Sequence, residues 1–493
     1  MALADKLKEL GGHGLVYGLG SAIQSGLAFV LIPLYTRHFS VEVYGVFALC
    51  IVVSQLAGNV FSFGIANSLA RSYYDYDNAQ DRKKVVSTSI FLTTVGIVIQ
   101  VSLGFIFKDN ISSLIFGSQI YGVPIFCALV GTALGTMTNI GYVILRFEKK
   151  SKQVVYLNLI SLFASVGLVY YFLVVMDHGL VGSLLGLALG QMLLLVIMIW
   201  LTKESFTLSI SRRELKVQMA FGGPMMLTTV VYFLITANDR FLIEHYLTLR
   251  EVGIYTLGFM LGSIINIALV MPFGMIWAPI RTEYRGSDDM DEFYRLVLTY
   301  YFMIGFAITV LFSLFGPELV SIVSGSEQYQ GAGDIITLVM VSFLLLGAIR
   351  IIDNGIYFSR KTHYHAYVYS FCLLVNFSAN YFLIPIFGYM VAAVNFFFTF
   401  FIALALIFWI TNKIEYVQLE RDRLLKIFIS SLLTLALSAE INSLIFEYDF
   451  TPLLYKTLLM SALVIFFYAG ILNYEERKVL RKLLSDIRYF FMS

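Results

Sequence analysis

Residues 180–201 have the sequence LVGSLLGLALGQMLLLVIMIWL, a run of 22 positions without a charged side chain. About 20 apolar residues let a helix span the hydrocarbon core of a bilayer, where unpaired backbone groups are too costly for open structures. Similar runs, cut by charges, Pro or Gly clusters, recur along the whole chain. The sequence therefore predicts an all-α polytopic membrane protein with about fourteen transmembrane helices, near residues 14–34, 43–64, 85–107, 121–145, 154–175, 180–201, 218–238, 254–278, 293–315, 334–357, 366–384, 388–411, 424–446 and 452–472.

The composition excludes a soluble enzyme. Of the 493 residues, 59% are hydrophobic and 13% are charged, and the mean hydropathy is +0.81. The net charge of +2 gives no general reason to expect nucleic acid as a partner. Cys50, Cys127 and Cys372 lie in apolar runs, so they indicate neither a disulfide framework nor a thiolate metal site. The sequence has no GxxxxGK[ST] phosphate loop, and it predicts no cofactor and no ATP hydrolysis.

The distribution of Lys and Arg predicts the orientation of the chain. If both termini are cytoplasmic, 27 of the 34 basic residues fall in cytoplasmic segments. The opposite side then holds only Arg37, Lys108, Arg240 and Arg250. This asymmetry also favours an even number of spans, and the short loops leave no room for a soluble domain.

Short motifs recur in the second part of the chain at a nearly constant offset, which predicts an internal repeat. Gly45-Val-Phe-Ala-Leu returns 208 positions later as Gly253-Ile-Tyr-Thr-Leu. Three further pairs have offsets of 207, 210 and 214, namely His38-Phe39 with His245-Tyr246, Arg71 and Tyr74 with Arg281 and Tyr284, and Arg146 with Arg360. Because a shift of six spans preserves orientation, we expect parallel repeats related by an axis along the membrane normal.

The repeat predicts three parts of the chain: an N-lobe of helices 1–6 at residues 1–210, a C-lobe of helices 7–12 at 211–415, and helices 13–14 with a cytoplasmic tail at 416–493. Two such lobes would enclose a central cavity and expose it alternately to each side. The architecture therefore favours a transporter over a channel.

Charged residues at membrane depth are candidates for function because their burial is costly. Arg350 and Asp353 lie three residues apart on one predicted helix, so they either form an internal ion pair or place Arg350 in the cleft as an anion contact. Asp239 and Arg240 end helix 7, where they either fix a loop or line the pathway. The position of Glu440 in helix 13 favours a structural role for this residue.

A second set of candidates is polar or aromatic and lies in spans or at helix ends. Arginine binds phosphate bidentately, so arginines at helix ends suit a pyrophosphate, although cytoplasmic anchoring explains most of them. Amides and tyrosines within spans either bind sugars or join helices. These candidates are Arg37, Arg71, Arg146, Arg281 and Arg360, the amides Gln24, Gln55, Asn59, Asn376 and Asn380, and the tyrosines Tyr17, Tyr35, Tyr232, Tyr301 and Tyr381.

Neither catalysis nor metal binding is predicted. No nucleophile, base and orienting group can be traced together in the sequence. His363 and His365 flank a tyrosine without a carboxylate or thiol ligand nearby in sequence, so they do not indicate a metal site.

Three segments carry a resemblance to a known family. They are GLGSAIQSGLAFVLIPLYTRHFSVEVYGVFAL at Gly18–Leu49, NDRFLIEHYLTLREVGIYTLGF at Asn238–Phe259 and NFSANYFLIPIFGYMVAAVNF at Asn376–Phe396. The chain resembles the polysaccharide-export family of Wzx-type lipid-linked oligosaccharide flippases, within the multidrug/oligosaccharidyl-lipid/polysaccharide (MOP) superfamily. Where many relatives have Gly-Ala-Ala in the third segment, this chain has Val391-Ala392-Ala393.

The resemblance implies transfer of an undecaprenyl-pyrophosphate-linked oligosaccharide, such as an O-antigen repeat unit, to the outer leaflet of the bacterial inner membrane. It implies a cavity for the polar headgroup and a polyprenyl tail that stays among the membrane lipids. Transfer would be driven either by consumption of the glycan outside or by a gradient of H⁺ or Na⁺. A glycan polymerase and a chain-length regulator are further implied partners.

Three alternatives stay open at this point. A MATE-like antiporter of drugs or small solutes would want carboxylates deep in the N-lobe spans, and the sequence has none there. A MurJ-like lipid II flippase would have the same fold. A membrane glycan polymerase or ligase would need a sizeable outer loop, and the predicted outer loops are short.

Overall fold

Helices form the described part of the chain, in which we find no β-strand. The computed structural model describes residues 29–207, 209–286, 290–359, 361–444, 451–478 and 481. Its helices are α1 (29–38), α2 (Val41–Phe61), α3 (Ile65–Ser72), α4 (Ala79–Phe116), α5 (Gly122–Phe147), α6 (Ser151–Tyr170), α7 (Gly179–Thr202), α8 (Arg212–Tyr246), α9 (Leu249–Gly262), α10 (Met271–Glu283), α11 (Met290–Leu314), α12 (Gly316–Ser324), α13 (Gly333–Ile352), α14 (Asn354–Phe358), α15 (His363–Phe387), α16 (Met390–Ile414), α17 (Arg421–Leu444) and α18 (Thr451–Phe466). Single π-helical turns extend α6 and α18 and join α9 to α10.

Twelve segments of the described chain are long and apolar enough to cross a membrane. They correspond to all but the first and thirteenth of the predicted spans. Most of the predicted span 14–34 lies outside the described residues. The predicted span 424–446 forms helix α17 but is not among the twelve. The all-α polytopic fold is confirmed, and the count of fourteen stays a prediction.

Two pairs of corresponding spans in the two predicted lobes have matching lengths. Val41–Asp75 and Leu249–Glu283 both have 35 residues, and Gly122–Phe147 and Glu327–Ile352 both have 26. The two longer spans are each broken in the middle, by Ser62–Gly64 in the first and by the π-helical turn Asn266–Val270 in the second. We keep the name N-lobe for α1–α7 and C-lobe for α8–α16, and we call helix ends inner and outer according to the predicted orientation.

The outer ends of α2 and α9 touch through a reciprocal pair of glycines, at positions 45 and 253. A Cβ atom on Gly45 would lie 2.1 Å from the carbonyl oxygen of Leu249, and one on Gly253 would lie 2.3 Å from that of Val41. Since Leu249 follows Val41 by the same 208 positions that separate the glycines, each helix makes the same contact with the other. This reciprocity is the geometry of a two-fold relation between similarly directed helices. It holds the lobes together on the outer side.

Helix α8 joins the two lobes because its halves pack on different partners. Its inner half contacts the N-lobe, where Ser89 Oγ donates to Gln218 Oε1 at 2.8 Å and Tyr76 donates to Glu214 Oε1 at 2.6 Å. Its outer half is tied to the C-lobe by Asn238, which donates to Asn376 Oδ1 at 2.8 Å. Gly222, Gly223 and Pro224 lie between these halves. A Cβ on Gly222 would lie 2.4 Å from the Phe63 carbonyl oxygen, so the lobes also meet closely on the inner side.

Helices α17 and α18 are tied to the C-lobe by ion pairs. Lys456 on α18 is 3% exposed and lies 2.5 Å from Glu318 of α12. Arg423 on α17 makes two contacts of 3.0 Å to the carboxylate of Glu476, which follows α18. Arg295 of α11 lies 3.7 Å from Glu420, just before α17. These two helices therefore brace the C-lobe.

Candidate functional site

A cleft between the lobes is the candidate site. It has two connected parts, of about 650 Å³ and about 610 Å³, which share Ile51, Gln55, Leu187 and Phe233 in their walls. The glycine contacts of α2 with α9 and of α3 with α8 flank it toward the outer and inner sides. The cleft is thus a chamber at membrane depth.

The first part, which we call the N-lobe pocket, is polar but uncharged. Its wall combines amides, hydroxyls and small residues from α2, α3, α4, α5 and α7, with two residues from α8. The polar members are Gln55, Asn59, Ser62, Asn67, Thr93, Thr132, Thr136, Asn139, Gln191 and Thr229, and the glycines are Gly58, Gly64, Gly131 and Gly135. No Asp, Glu, Lys or Arg is among the described lining residues.

The second part, which we call the interlobe pocket, is aromatic and contains one charged lining residue, Arg240. Rings from both lobes form its wall, together with a few small polar groups. The aromatic members are Tyr35, Tyr44, Phe47, Tyr232, Phe233, Phe259 and Phe343. The mid-span π-helical turn contributes Asn266 to this wall, and such turns are frequent at functional sites.

Asp239 and Arg240 form a buried pair in the wall of the interlobe pocket. Nη1 of Arg240 lies 3.0 Å from Oδ1 of Asp239, and the Tyr255 hydroxyl donates to the other carboxylate oxygen. The guanidinium carbon lies 4.4 Å from the centre of the Phe259 ring, a cation–π contact. The sequence left two roles open for this pair. The position of Arg240 fits the second, that of a residue that lines the pathway.

Arg350 and Asp353 do not pair with each other, which corrects the ion-pair alternative. Asp353 follows the last residue of α13 with non-helical backbone angles (φ −75°, ψ 11°), so the same-face rule for residues three apart fails there. Its carboxylate instead contacts Arg281 at 2.9 Å and His365 at 3.1 Å. His365 therefore does have a carboxylate neighbour, although no cluster of three possible metal ligands occurs in the described chain.

Arg350 is exposed and has no ion pair or side-chain hydrogen bond within the described residues. It follows Phe343 of the interlobe pocket by seven residues, which places it on the same face of α13 about 10 Å further inward. Gly274 of α10 leaves room for it, because a Cβ there would lie 2.2 Å from Nη1 of Arg350. Arg350 thus faces the inner half of the gap between the lobes.

The other predicted arginines lie outside the two pockets. Arg37 is exposed and lies beside Gly325 at the outer surface. Arg71 covers the Phe221 ring at 4.7 Å between α3 and α8, and Arg146 is exposed at the inner end of α5. Arg281 is engaged by Asp353 and lies 3.5 Å from the centre of the Tyr357 ring. Arg360 falls outside the described residues, as do Gln24, Tyr17 and the side chain of Glu440.

The predicted amides divide into two groups. Gln55 and Asn59 line the N-lobe pocket. Asn376 and Asn380 are buried and belong to a network that joins α8, α15 and α16. In it, Asn376 donates to Thr399 at 2.8 Å, Asn395 donates to Asn380 at 2.8 Å, and Asn380 donates to Asn238 and Asn376 at 3.3 Å. Asn376 and Asn380 line neither pocket.

The predicted tyrosines divide in the same way. Tyr35 and Tyr232 line the interlobe pocket. Tyr301 is buried and donates to the Leu344 carbonyl at 3.0 Å, and Tyr381 packs its edge against Tyr246. Only the first two are placed to meet a ligand in the cleft.

Sequence reasoning missed most of the N-lobe pocket, notably Asn67, Thr93, Asn139 and Gln191. A signal was present on α5, where small and polar residues recur every four positions, as Gly131, Gly135 and Asn139 and as Thr132 and Thr136. Such stripes mark one helix face. They also mark helix packing in membranes, so the pattern does not by itself distinguish a cavity from a contact.

The sequence profile of the polysaccharide biosynthesis protein family matches residues 11–284. No curated protein matches the chain in sequence.

Three solved structures illustrate the fold. The lipid II flippase MurJ in an inward closed conformation has a TM-score of 0.76 at 14% identity, covering 93% of this chain and 100% of that one. An inward-facing multidrug resistance MATE transporter of the MOP superfamily has a TM-score of 0.61 at 16% identity, covering 81% and 94%. The MATE transporter VcmN from Vibrio cholerae in its bent form has a TM-score of 0.56 at 14% identity, covering 84% and 99%. At these identities the likeness establishes the fold alone.

Proposed function

The chain belongs to the polysaccharide biosynthesis protein family, and from this premise we propose that it moves a lipid-linked oligosaccharide between the leaflets of a membrane. The substrate is an undecaprenyl-pyrophosphate-linked glycan, and the membrane is the bacterial inner membrane with both chain termini in the cytoplasm. The glycan and pyrophosphate occupy the cleft while the polyprenyl tail stays in lipid.

A neutral polar chamber lies beside an arginine that has no ion-pair partner in the described chain, and this observation carries the proposal. Arg350 faces the gap without an acidic partner in the described chain, so its guanidinium is free to bind a phosphate with two parallel hydrogen bonds. Arg240 lies in the wall of the interlobe pocket further outward, where its charge is balanced by Asp239 at 3.0 Å and its guanidinium can still offer hydrogen bonds. The lining of both pockets contains no Asp or Glu within the described residues, which suits an anionic headgroup.

In this proposal, translocation requires that contacts between the two lobes break and form again. In the described arrangement the outer ends of α2 and α9 are in contact. Separation of Gly45 from Gly253 opens the chamber outward while the close contact of Gly222 with Phe63 keeps the inner side closed. The two lobes rock about a fixed site, as in other transporters built from repeats.

A reconstituted flippase assay tests the proposal. The purified chain is placed in liposomes with a fluorescent undecaprenyl-pyrophosphate oligosaccharide, and a membrane-impermeant quencher reports the fraction moved. We expect Arg350→Ala to slow movement by about 10- to 100-fold, because a hydrogen bond to a charged group is worth about 1.5–3 kcal/mol. Arg421→Ala is the matched control, since Arg421 is an exposed arginine on α17 that lines neither pocket.

The same liposome assay distinguishes the proposed function from the alternative functions. Movement of lipid II and not of other glycan lipids favours the MurJ-like function, and exchange of a cationic drug for H⁺ or Na⁺ favours the MATE-like one. Formation of a new glycosidic bond would overturn the transporter altogether. Equal rates for wild type and Arg350→Ala would refute the role of Arg350.

A further inference from the structure

The N-lobe pocket holds a group of amides without intramolecular partners. Gln55, Asn59, Asn67, Asn139 and Gln191 line it, and none makes a side-chain hydrogen bond within the described chain. Four buried asparagines of the C-lobe, Asn238, Asn376, Asn380 and Asn395, are the opposite case, because each is bonded to another side chain. Amides at membrane depth are costly unless they are bonded, so the N-lobe group points to a ligand or to water.

A buried hydroxyl in the same wall gives a second, independent indication. Thr93 is 1% exposed, lines the N-lobe pocket and has no hydrogen-bond partner for Oγ1 in the described structure. Most buried hydroxyls in folded proteins are bonded. An unsatisfied one in the wall of a cavity is available to a molecule that fills the cavity.

The hollow itself depends on small residues along α2 and α5. A Cβ on Gly131 would lie 3.5 Å from Ala188 of α7, and one on Gly135 would lie 3.8 Å from Oε1 of Gln191. The nearest atoms to a Cβ on Gly58 would be 3.7 Å away, on Thr132 and Thr136. These glycines are not needed for close helix contact, so their effect is to leave space in front of the amides.

The chemistry of the wall defines what fits. Each amide offers both a donor and an acceptor, which matches the hydroxyls and acetamido groups of sugars. A carboxylate would lose its hydration there without gaining a counter-charge, because no Lys or Arg is among the described lining residues. The N-lobe pocket therefore discriminates against acidic sugars.

We propose that the N-lobe pocket binds an uncharged sugar unit of the substrate, such as a hexose or an N-acetylhexosamine, while the pyrophosphate lies toward Arg240 and Arg350. This inference rests on the proposed function. The two pockets adjoin, since both are lined by Gln55 and Phe233, and one headgroup would therefore reach both.

Binding of three lipid probes to the full chain in lipid nanodiscs tests the inference. The probes are undecaprenyl pyrophosphate alone, the same lipid with an N-acetylhexosamine and the same lipid with a hexuronic acid. We expect the N-acetylhexosamine probe to bind at least tenfold more tightly than the other two. The double variant Asn139→Leu/Gln191→Met nearly keeps the side-chain shapes but removes two amides that line the N-lobe pocket and not the interlobe pocket. We expect it to lose that tenfold gain while binding of the sugar-free lipid stays unchanged.

Gln119→Met is the matched control, because Gln119 is an exposed glutamine outside both pockets. Thermal unfolding of each variant checks that the chain is folded. If wild type binds none of the three lipids, the proposed function fails. If it binds all three equally, or if the double variant weakens all three equally, the proposed function stands and the sugar pocket is overturned. Preference for the hexuronic acid would overturn the neutral specificity.

Discussion

Two pairs of corresponding spans in the two lobes have equal lengths, yet the interiors of the lobes differ. In the N-lobe, glycines and threonines leave a chamber whose amides are unpaired within the described chain. In the C-lobe, Phe259, Phe343, Phe396 and Phe400 pack edge to face, and four asparagines bond to one another or to Thr399. The N-lobe thus leaves polar groups open to a chamber, whereas the same kinds of group in the C-lobe are packed and hydrogen-bonded. The following predictions test this division, beginning with the largest expected effect.

The repeat-related arginines should differ in their effect on stability. Arg281→Ala leaves the Asp353 carboxylate buried beside His365, which we expect to cost about 3 kcal/mol in the free energy of unfolding. Arg71→Ala removes a cation–π contact to Phe221, which we expect to cost about 0.5–1 kcal/mol. Chemical unfolding in detergent measures both. Equal losses would contradict the division, and recovery by Arg281→Lys would show that charge alone matters at that position.

Paired and unpaired asparagines should also differ. Asn380→Leu leaves the Asn238 oxygen and the Asn395 nitrogen without a partner and removes one of the two bonds to the Asn376 oxygen. We expect it to lower the free energy of unfolding by about 2 kcal/mol. Asn139→Leu, in the wall of the chamber, should change it by less than about 0.5 kcal/mol. The same unfolding measurement compares them. A larger loss for Asn139→Leu would show that this amide joins helices.

The reciprocal glycines should behave alike. Gly45→Ala and Gly253→Ala each force the outer ends of α2 and α9 apart, at a cost of about 1–2 kcal/mol to the contact. We expect maleimide labelling from outside, at Thr256→Cys in a chain whose native cysteines are Ala, to rise about tenfold in both.

Gly167→Ala is the control for this experiment, because nothing lies within 4 Å of a Cβ at that position. A strong effect of one glycine and none of the other would mean that the contact is not shared equally between the helices.

The smallest effect on stability is expected at the ion pairs of α17 and α18, the two helices that brace the C-lobe. Burial raises the pKa of Glu476, but hydrogen bonds from Arg423, from Tyr300 and from the Asn473 backbone outweigh it and leave the pKa below its ordinary value. The stability that Glu476 contributes is therefore present above the carboxylate's ordinary pKa of about 4.5 and is lost as the pH falls through the lower, folded value.

Glu476→Gln should thus cost up to about 1 kcal/mol at neutral pH and nothing in acid. Unfolding of wild type and variant across this pH range measures the difference, and the charge-neutral Asn473→Ser serves as a control for the local turn. If the stability difference between wild type and variant grew as the pH fell, the lowered pKa assigned to Glu476 would be wrong.

The fold was predictable from the sequence because membrane insertion depends on local apolar length. The run at 180–201, for example, becomes α7 at Gly179–Thr202. The broken span of α2 and α3 was predicted only as the shorter 43–64, since its inner extension Ile65–Ser72 has little net hydrophobicity and is held by packing on α8. The pairing of Asp353 was missed because a helix end turns the side chain away from its own helix and toward α10 and α15.

The site was less predictable for a related reason. Asn59 and Asn376 are the same residue type in similarly apolar helices, and only the tertiary neighbours decide that the first is unpaired and the second bonded. The arginines that the sequence suggested for one cationic cleft are spread over the structure. Arg240 lines the interlobe pocket and Arg350 faces the gap, whereas Arg37, Arg71, Arg146 and Arg281 lie elsewhere.

The shared helix α8 has a consequence for how the chain can be divided. Because its inner half is hydrogen-bonded to α4 and its outer half to α15, a cut in the linker at 203–211 would not release two self-contained halves. The fragment that begins at Arg212 would carry a binding face for the other fragment. Co-expressed pieces split there should therefore find each other and reassemble, whereas pieces split at Gly223 would each lack part of the helix that aligns them.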